Sequence, residues 1–137
     1  MGAVEFSAAP QVHGDKGVGR MRHTVSLKEN HLFRRLYAKG KSAVSPTLAV
    51  YIRGNGRREN RLGLTVGTKV GKAVRRNRVR RRLREAYRLH EDRVAPGFDV
   101  VVVARTKAAF ASYAQLERDL LRLLDKLGVL TPGGKSR

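Results

Sequence analysis

Apolar positions along the chain change period several times, and each change marks an element. Leu32, Phe33, Leu36 and Tyr37 recur at helical spacing, which predicts a first helix over Leu27 to Gly40. Ser26 and Glu29 stand at capping-box spacing before it, with Asn30 as an alternative cap, and Gly40 supplies a C-terminal stop. From Leu48 to Arg53 the pattern alternates, with Leu48, Val50 and Ile52 on one face and Ala49, Tyr51 and Arg53 on the other. Leu62, Leu64 and Val66 alternate with Gly63, Thr65 and Gly67, and Gly54-Asn55-Gly56 lies between the two runs, so an antiparallel hairpin is expected. In that pairing Tyr51 would be an exposed ring on a face lined by small residues, open to a flat ligand. Residues around Ala43 to Ser45 add a short strand that Pro46 breaks.

A second helix follows, with Val79, Leu83, Ala86, Tyr87 and His90 as its stripe. Phe98 to Ala104 is almost continuously apolar, as in a strand buried on both faces, and could run parallel to its predecessor across that helix. Ser112 with Gln115 caps a last helix whose stripe is Leu116, Leu120, Leu123, Leu124 and Leu127, up to Gly128. The order α-β-β-β-α-β-α predicts a small single α+β domain with a mixed four-stranded sheet. Its expected bounds are residues 21–128, between a flexible extension (1–20) and a flexible tail (129–137).

Charge changes this picture most at the second helix. Between Lys69 and Arg84 there are nine basic side chains, Lys69, Lys72, Arg75, Arg76, Arg78, Arg80, Arg81, Arg82 and Arg84, and no carboxylate. At about 100° per residue, Asn77, Arg81, Arg84 and Arg88 fall opposite the apolar stripe, with Arg78 and Arg80 at its flanks. Like charges at i,i+4, such as Arg76/Arg80 and Arg80/Arg84, destabilise a lone helix by a few tenths of a kcal/mol each. A solvated surface helix is the plain reading, but repetition of that penalty points to compensation by phosphates. The whole chain carries 30 Lys plus Arg against 11 Asp plus Glu, a net charge of +19 over 137 residues. Nucleic acid is the partner class this implies.

Other classes are poorly served. No apolar run approaches the roughly 18 residues that span a bilayer, so no membrane partner is expected. There is no Cys, which excludes disulfides and Cys-based zinc sites and fits the cytoplasm. The four His have no metal-ligand spacing, so no protein-borne metal site is expected. Gly67 to Lys72 fails as a phosphate loop, because Gly71 comes one residue early and Ala73 replaces Ser or Thr. No Ser-His-Asp set or carboxylate pair stands out, and no catalytic residue is assigned. Phe33 reads equally as core or as a binding ring, whereas Tyr37 and Tyr51 suit stacking on an unpaired base.

The run Lys69-Val-Gly-Lys-Ala-Val-Arg-Arg-Asn-Arg-Val-Arg-Arg-Arg-Leu-Arg-Glu85 resembles the signature of the bacterial ribonuclease P protein subunit, with Arg76-Asn77-Arg78 as its core. The similarity extends from about Met21 to Leu127 and takes in the first helix, the Tyr51 and Leu62–Val66 strands, and the strand ending at Arg105. Thr68 departs from it, standing where that family often has a second Lys. The resemblance implies that the chain assists a catalytic RNA, which uses Mg²⁺ to cut precursor tRNA and release its 5′ leader. Phe33, Tyr37 and Tyr51 would line a cleft for the single-stranded leader. Lys69, Arg76, Asn77, Arg78, Arg80, Arg81 and Arg84 would lie against the catalytic RNA, with Lys72, Arg75 and Arg105 as further RNA contacts. It also implies a left-handed βαβ crossover, where periodicity alone would suggest the common right-handed one. The partners would be ribonuclease P RNA and precursor tRNA, with no obligate protein partner.

Two other readings fit the residues. A non-catalytic RNA-binding protein of ribosomal or RNA-chaperone type would share the charge and the small α+β fold. A DNA-binding protein could use the Arg-rich helix in the major groove, although no zipper heptad or helix-turn-helix spacing accompanies it.

Overall fold

The apolar run at Phe98–Ala104 forms the centre of the fold. The computed structural model describes Met21 and residues 23–131; the extension expected over residues 1–20 lies outside the described residues, as does 132–137. The elements are β1 (Thr24–Ser26), α1 (Asn30–Lys39), β2 (Lys41–Val44), β3 (Leu48–Gly54), β4 (Asn60–Val66), α2 (Ala73–Leu89), β5 (Phe98–Ala104) and α3 (Tyr113–Lys126). Short 3-10 turns occupy Thr68–Val70, Glu91–Arg93 and Thr106–Phe110. The sheet order is β1-β4-β5-β3-β2, so β5 lies in the middle, parallel to β4 and antiparallel to β3. The α+β class and mixed sheet agree with the sequence reading, with five strands in place of four.

The expected β3–β4 hairpin does not form. β5 inserts between the two strands, pairing Tyr51 with Val101 on one side and Gly63 with Val101 on the other. The reason lies in β5 itself: Val100, Val101, Val102 and Val103 are all buried, and such a run needs neighbours on both edges and both faces. Strands two places apart are about 9–10 Å apart, so the chain between Gly54 and Asn60 must bridge that gap rather than turn tightly. Asn55 organises the bridge. Its backbone N–H donates to Gly97 O (2.9 Å), and its side-chain amide donates to Glu59 O (3.1 Å) and Asp99 Oδ1 (3.0 Å). Arg61 donates two hydrogen bonds to the Asp99 carboxylate (2.7 and 3.0 Å), and Asn60 Oδ1 accepts from the Phe98 N–H (2.8 Å). These contacts lock the β3, β5 and β4 ends together.

The sheet is covered on both faces. Leu48, Val50 and Ile52 of β3 join Leu62, Leu64, Val100 and Val102 beneath α2 and α3, where Val79, Leu83, Ala86 and Tyr87 meet Leu116, Leu120, Leu123 and Leu124. The expected stripes of both helices are therefore the buried ones, with two exceptions at their ends: Leu127, at the C-cap of α3, is half-buried against the core, and His90 caps α2 and bonds Glu117 through Nε2 at 2.8 Å. On the other face, Phe33 and Leu36 of α1 pack on Ala49, Tyr51, Val101 and Val103.

Caps differ between the two ends of the chain. Ser112 Oγ accepts from Gln115 N–H (3.1 Å) as its spacing predicts, and Gly128 closes α3 with φ +81°. Ser26, by contrast, is not a cap: it lies in β1 opposite Leu62, and Glu29 takes the N-cap position of α1 without a side-chain bond. Strand pairing on the free edge of β4 wins over the local capping option. Residues 129–131, placed in the tail by sequence, are packed: Val129 is buried, its carbonyl accepts from Ala95 N–H (2.7 Å), and Leu130 bridges to Val94.

Candidate nucleic-acid interface

The helical period of α2 sends its apolar stripe into the core, so its cations are displayed. Lys72, Arg75, Arg78, Arg81 and Asn77 are exposed, and Lys69 is exposed on the turn leading in. Arg76, Arg80 and Arg84 are half-buried. Arg76 Nη1 donates to Gly71 O (2.8 Å), closing the turn in front of the helix. Arg80 Nη1 donates to Asn77 Oδ1 (2.7 Å), which leaves the Asn77 amide hydrogens to face outward. Partial burial, then the nearby Arg76 and Arg84, pull the Arg80 pKa down from its ordinary value. A phosphate placed beside Arg80 would oppose both effects.

Two further arginines serve the fold. Arg82 Nη1 donates to Ala111 O (3.1 Å), tying α2 to the loop before α3. Arg105 is exposed yet donates through Nη1 to Ser45 O (2.8 Å), and its own backbone N–H donates to Thr47 O (2.8 Å).

The three aromatic residues picked out from sequence do come together. Phe33 and Tyr37, one turn apart on α1, have ring centroids 6.5 Å apart, and Tyr37 meets Tyr51 edge-on at 4.8 Å. Phe33 takes the core position that was one of its two readings, whereas Tyr51 is not the exposed ring expected. Tyr51 is 4% exposed and Phe33 3%, because α1 covers the face that small residues seemed to leave open. Gly63 makes the landing possible: a Cβ there would lie 2.5 and 2.7 Å from the Phe33 ring. Tyr37 is half-buried at the edge of this cluster. Burial raises its pKa above that of a free phenol, with the Thr65 hydroxyl beside it opposing the shift. Thr65, a residue sequence reasoning passed over, stands on β4 just upstream of Lys69. The aromatic cluster and the start of the basic segment thus meet near the end of β4, while α1 and α2 occupy opposite faces of the sheet.

Among the described residues no helix is long and apolar enough to cross a membrane, and no group of three or more His, Asp or Glu could hold a metal ion. Fold and charge together define a small, strongly basic α+β domain whose exposed helix face suits a nucleic acid. Residues 21–128 match the family model described as Ribonuclease P. The ribonuclease P protein component of Alkaliphilus oremlandii is 44% identical over 104 residues, which cover 76% of this chain and 91% of that protein. The RNase P protein of Staphylococcus aureus has the same fold, with a TM-score of 0.72 and 31% identity over 80% of this chain and 99% of its own. The Thermotoga maritima RNase P protein aligns with a TM-score of 0.68 and 33% identity, covering 74% and 96%. The chain belongs to the ribonuclease P protein family.

Proposed function

We propose that this chain is the protein subunit of a cytoplasmic ribonuclease P, a ribonucleoprotein endonuclease in which an RNA carries the chemistry and the protein supports it. The observation that carries the proposal is the Lys69–Arg84 segment, with nine cations and no carboxylate along α2 and the turn leading into it, the other face of the helix being fixed in the core. Exposed Arg forks can each bind a phosphate through two hydrogen bonds, and their charge lets RNA backbones approach one another with less Mg²⁺. Mg²⁺ itself belongs to the RNA in this reading. The substrate is precursor tRNA. Its single-stranded 5′ leader lies along the edge of the aromatic cluster, where Tyr37 is the ring it reaches and Phe33 and Tyr51 form the floor that positions α1. A base stacked on such a ring contributes about 1 to 3 kcal/mol, and mature tRNA has no leader to supply it.

Cleavage of a precursor tRNA by a bacterial ribonuclease P RNA at low Mg²⁺, with and without this protein, tests the proposal. The wild type should restore cleavage. Tyr37→Ala should weaken binding of precursor about five- to hundredfold while leaving mature tRNA unaffected. No restoration with a compatible RNA would remove the subunit role, and an equal loss for precursor and mature tRNA would remove the leader contact.

A further inference from the structure

Phe110 is 79% exposed, an unusual position for a phenyl ring, and it is not alone. The Arg75 guanidinium carbon lies 5.2 Å from its ring centroid, within the range of a cation–π contact. The Arg75 side chain lies folded across a glycine: a Cβ on Gly71 would come within 2.8 Å of Arg75 Cδ and 3.2 Å of its Cβ. Val74, 74% exposed, is next in sequence to Arg75 on the first turn of α2. The 3-10 turn that ends in Phe110 packs against both the Thr68–Val70 turn and α2, which brings Lys107 and Lys69 to the same end of the molecule. Neither contributing segment, 60–84 or 100–116, contains a carboxylate. An exposed apolar ring, backed on one side by a cation and carried on segments that hold no carboxylate, suits a planar group on an anionic backbone.

We infer that Phe110 and Arg75 form a stacking platform for an unpaired base of the catalytic RNA, separate from the Phe33–Tyr37–Tyr51 cluster. The inference rests on the proposed RNA-binding role. It assigns the base to the catalytic RNA because the platform is continuous with α2, whereas the leader is placed beside α1 on the opposite face of the sheet. Arg75 both backs the ring and offers its N–H groups to the adjoining phosphate.

The chain has no Trp, so Phe110→Trp introduces a single indole that reports on this position alone. Titration of that full-length variant with a bacterial ribonuclease P RNA transcript, without tRNA, should change the indole emission as the base stacks. Phe110→Ala should bind the same transcript about five- to hundredfold more weakly, with Phe110→Tyr within about twofold of wild type. Unchanged emission, or wild-type affinity in Phe110→Ala, in protein that still binds the RNA, overturns the platform and leaves the proposed function standing. An emission change that appears only when precursor tRNA is added gives the base to the leader and overturns the assignment to the catalytic RNA. A change in sedimentation without a change in RNA affinity gives the ring to a second copy of the chain and also overturns it. Failure of the wild type to bind the transcript removes both readings together.

Discussion

Gly63→Ala adds one methyl group at the point where α1 rests on the sheet. The new carbon would lie 2.5 Å from Cζ and 2.7 Å from Cε1 of Phe33, and 3.5 Å from Leu27 Cβ. Carbon contacts settle near 3.5–4.0 Å, so two ring atoms are overlapped by about 1 Å and Leu27 limits movement to its side. Phe33 is almost fully buried, so its ring cannot swing into solvent without losing its burial. Overpacking of this kind costs about 1–3 kcal/mol, while the change from Gly restores about 0.4–1 kcal/mol by restricting the unfolded chain. The net expectation is a loss of about 1–2 kcal/mol. Phe33→Ala alone should cost about 3–5 kcal/mol, but in that background the methyl group has room. Gly63→Ala should then be neutral or stabilising, giving a coupling of about 1–3 kcal/mol between the two positions. Urea unfolding of the four proteins at one ionic strength measures the cycle, urea being preferred because guanidinium is itself a salt. Equal effects of Gly63→Ala in both backgrounds would refute the reasoning.

Two more expectations concern the other face of the sheet. Burial pushes the Tyr87 phenol up to about 12, against the opposing hydrogen bonds of Thr24 and Asn60. The fold favours the neutral phenol, so its stabilisation is complete below the unfolded pKa near 10 and is lost as pH rises towards 12, by about 2–3 kcal/mol. Urea midpoints across that window should fall further for wild type than for Tyr87→Phe, and parallel curves would count against it. Thr47 Oγ1 donates to the buried Asp119 carboxylate at 2.6 Å, joining the start of β3 to α3. Thr47→Val should cost about 1–3 kcal/mol by leaving that charge without its donor, and adding Asp119→Leu should recover part of the loss in thermal unfolding.

What the sequence revealed and concealed follows from how far apart the deciding residues lie. The α2 stripe was legible because Val79, Leu83, Ala86 and Tyr87 repeat within one helix. The same holds for Ser112 and Gln115, which bond within one turn. The hairpin was misread because Gly54-Asn55-Gly56 is a local signal, whereas insertion of β5 depends on a strand more than forty residues later. Burial of Tyr51 was missed for a related reason. The small residues on its face suggested an open platform, but Gly63 is small so that Phe33 can occupy it. Among the cations, charge alone could not separate Arg78 and Arg81, which are exposed, from Arg105, which also holds the Ser45 carbonyl. Phe110 carried no signal, since it lies in an aperiodic stretch and only the tertiary approach of Arg75 makes it notable.

The central place of β5 also dictates an order of assembly. β3 and β4 share no hydrogen-bonded register with each other; each is paired to β5, so the main sheet cannot close until the chain has been synthesised through Ala104. Until then β3 has only β2 beside it and β4 only β1, each with its inner edge unpaired, and the helix whose like charges repel has no complete sheet to dock on. A chain ending before β5 is therefore expected to hold two separate strand pairs and no common core rather than a smaller version of this fold.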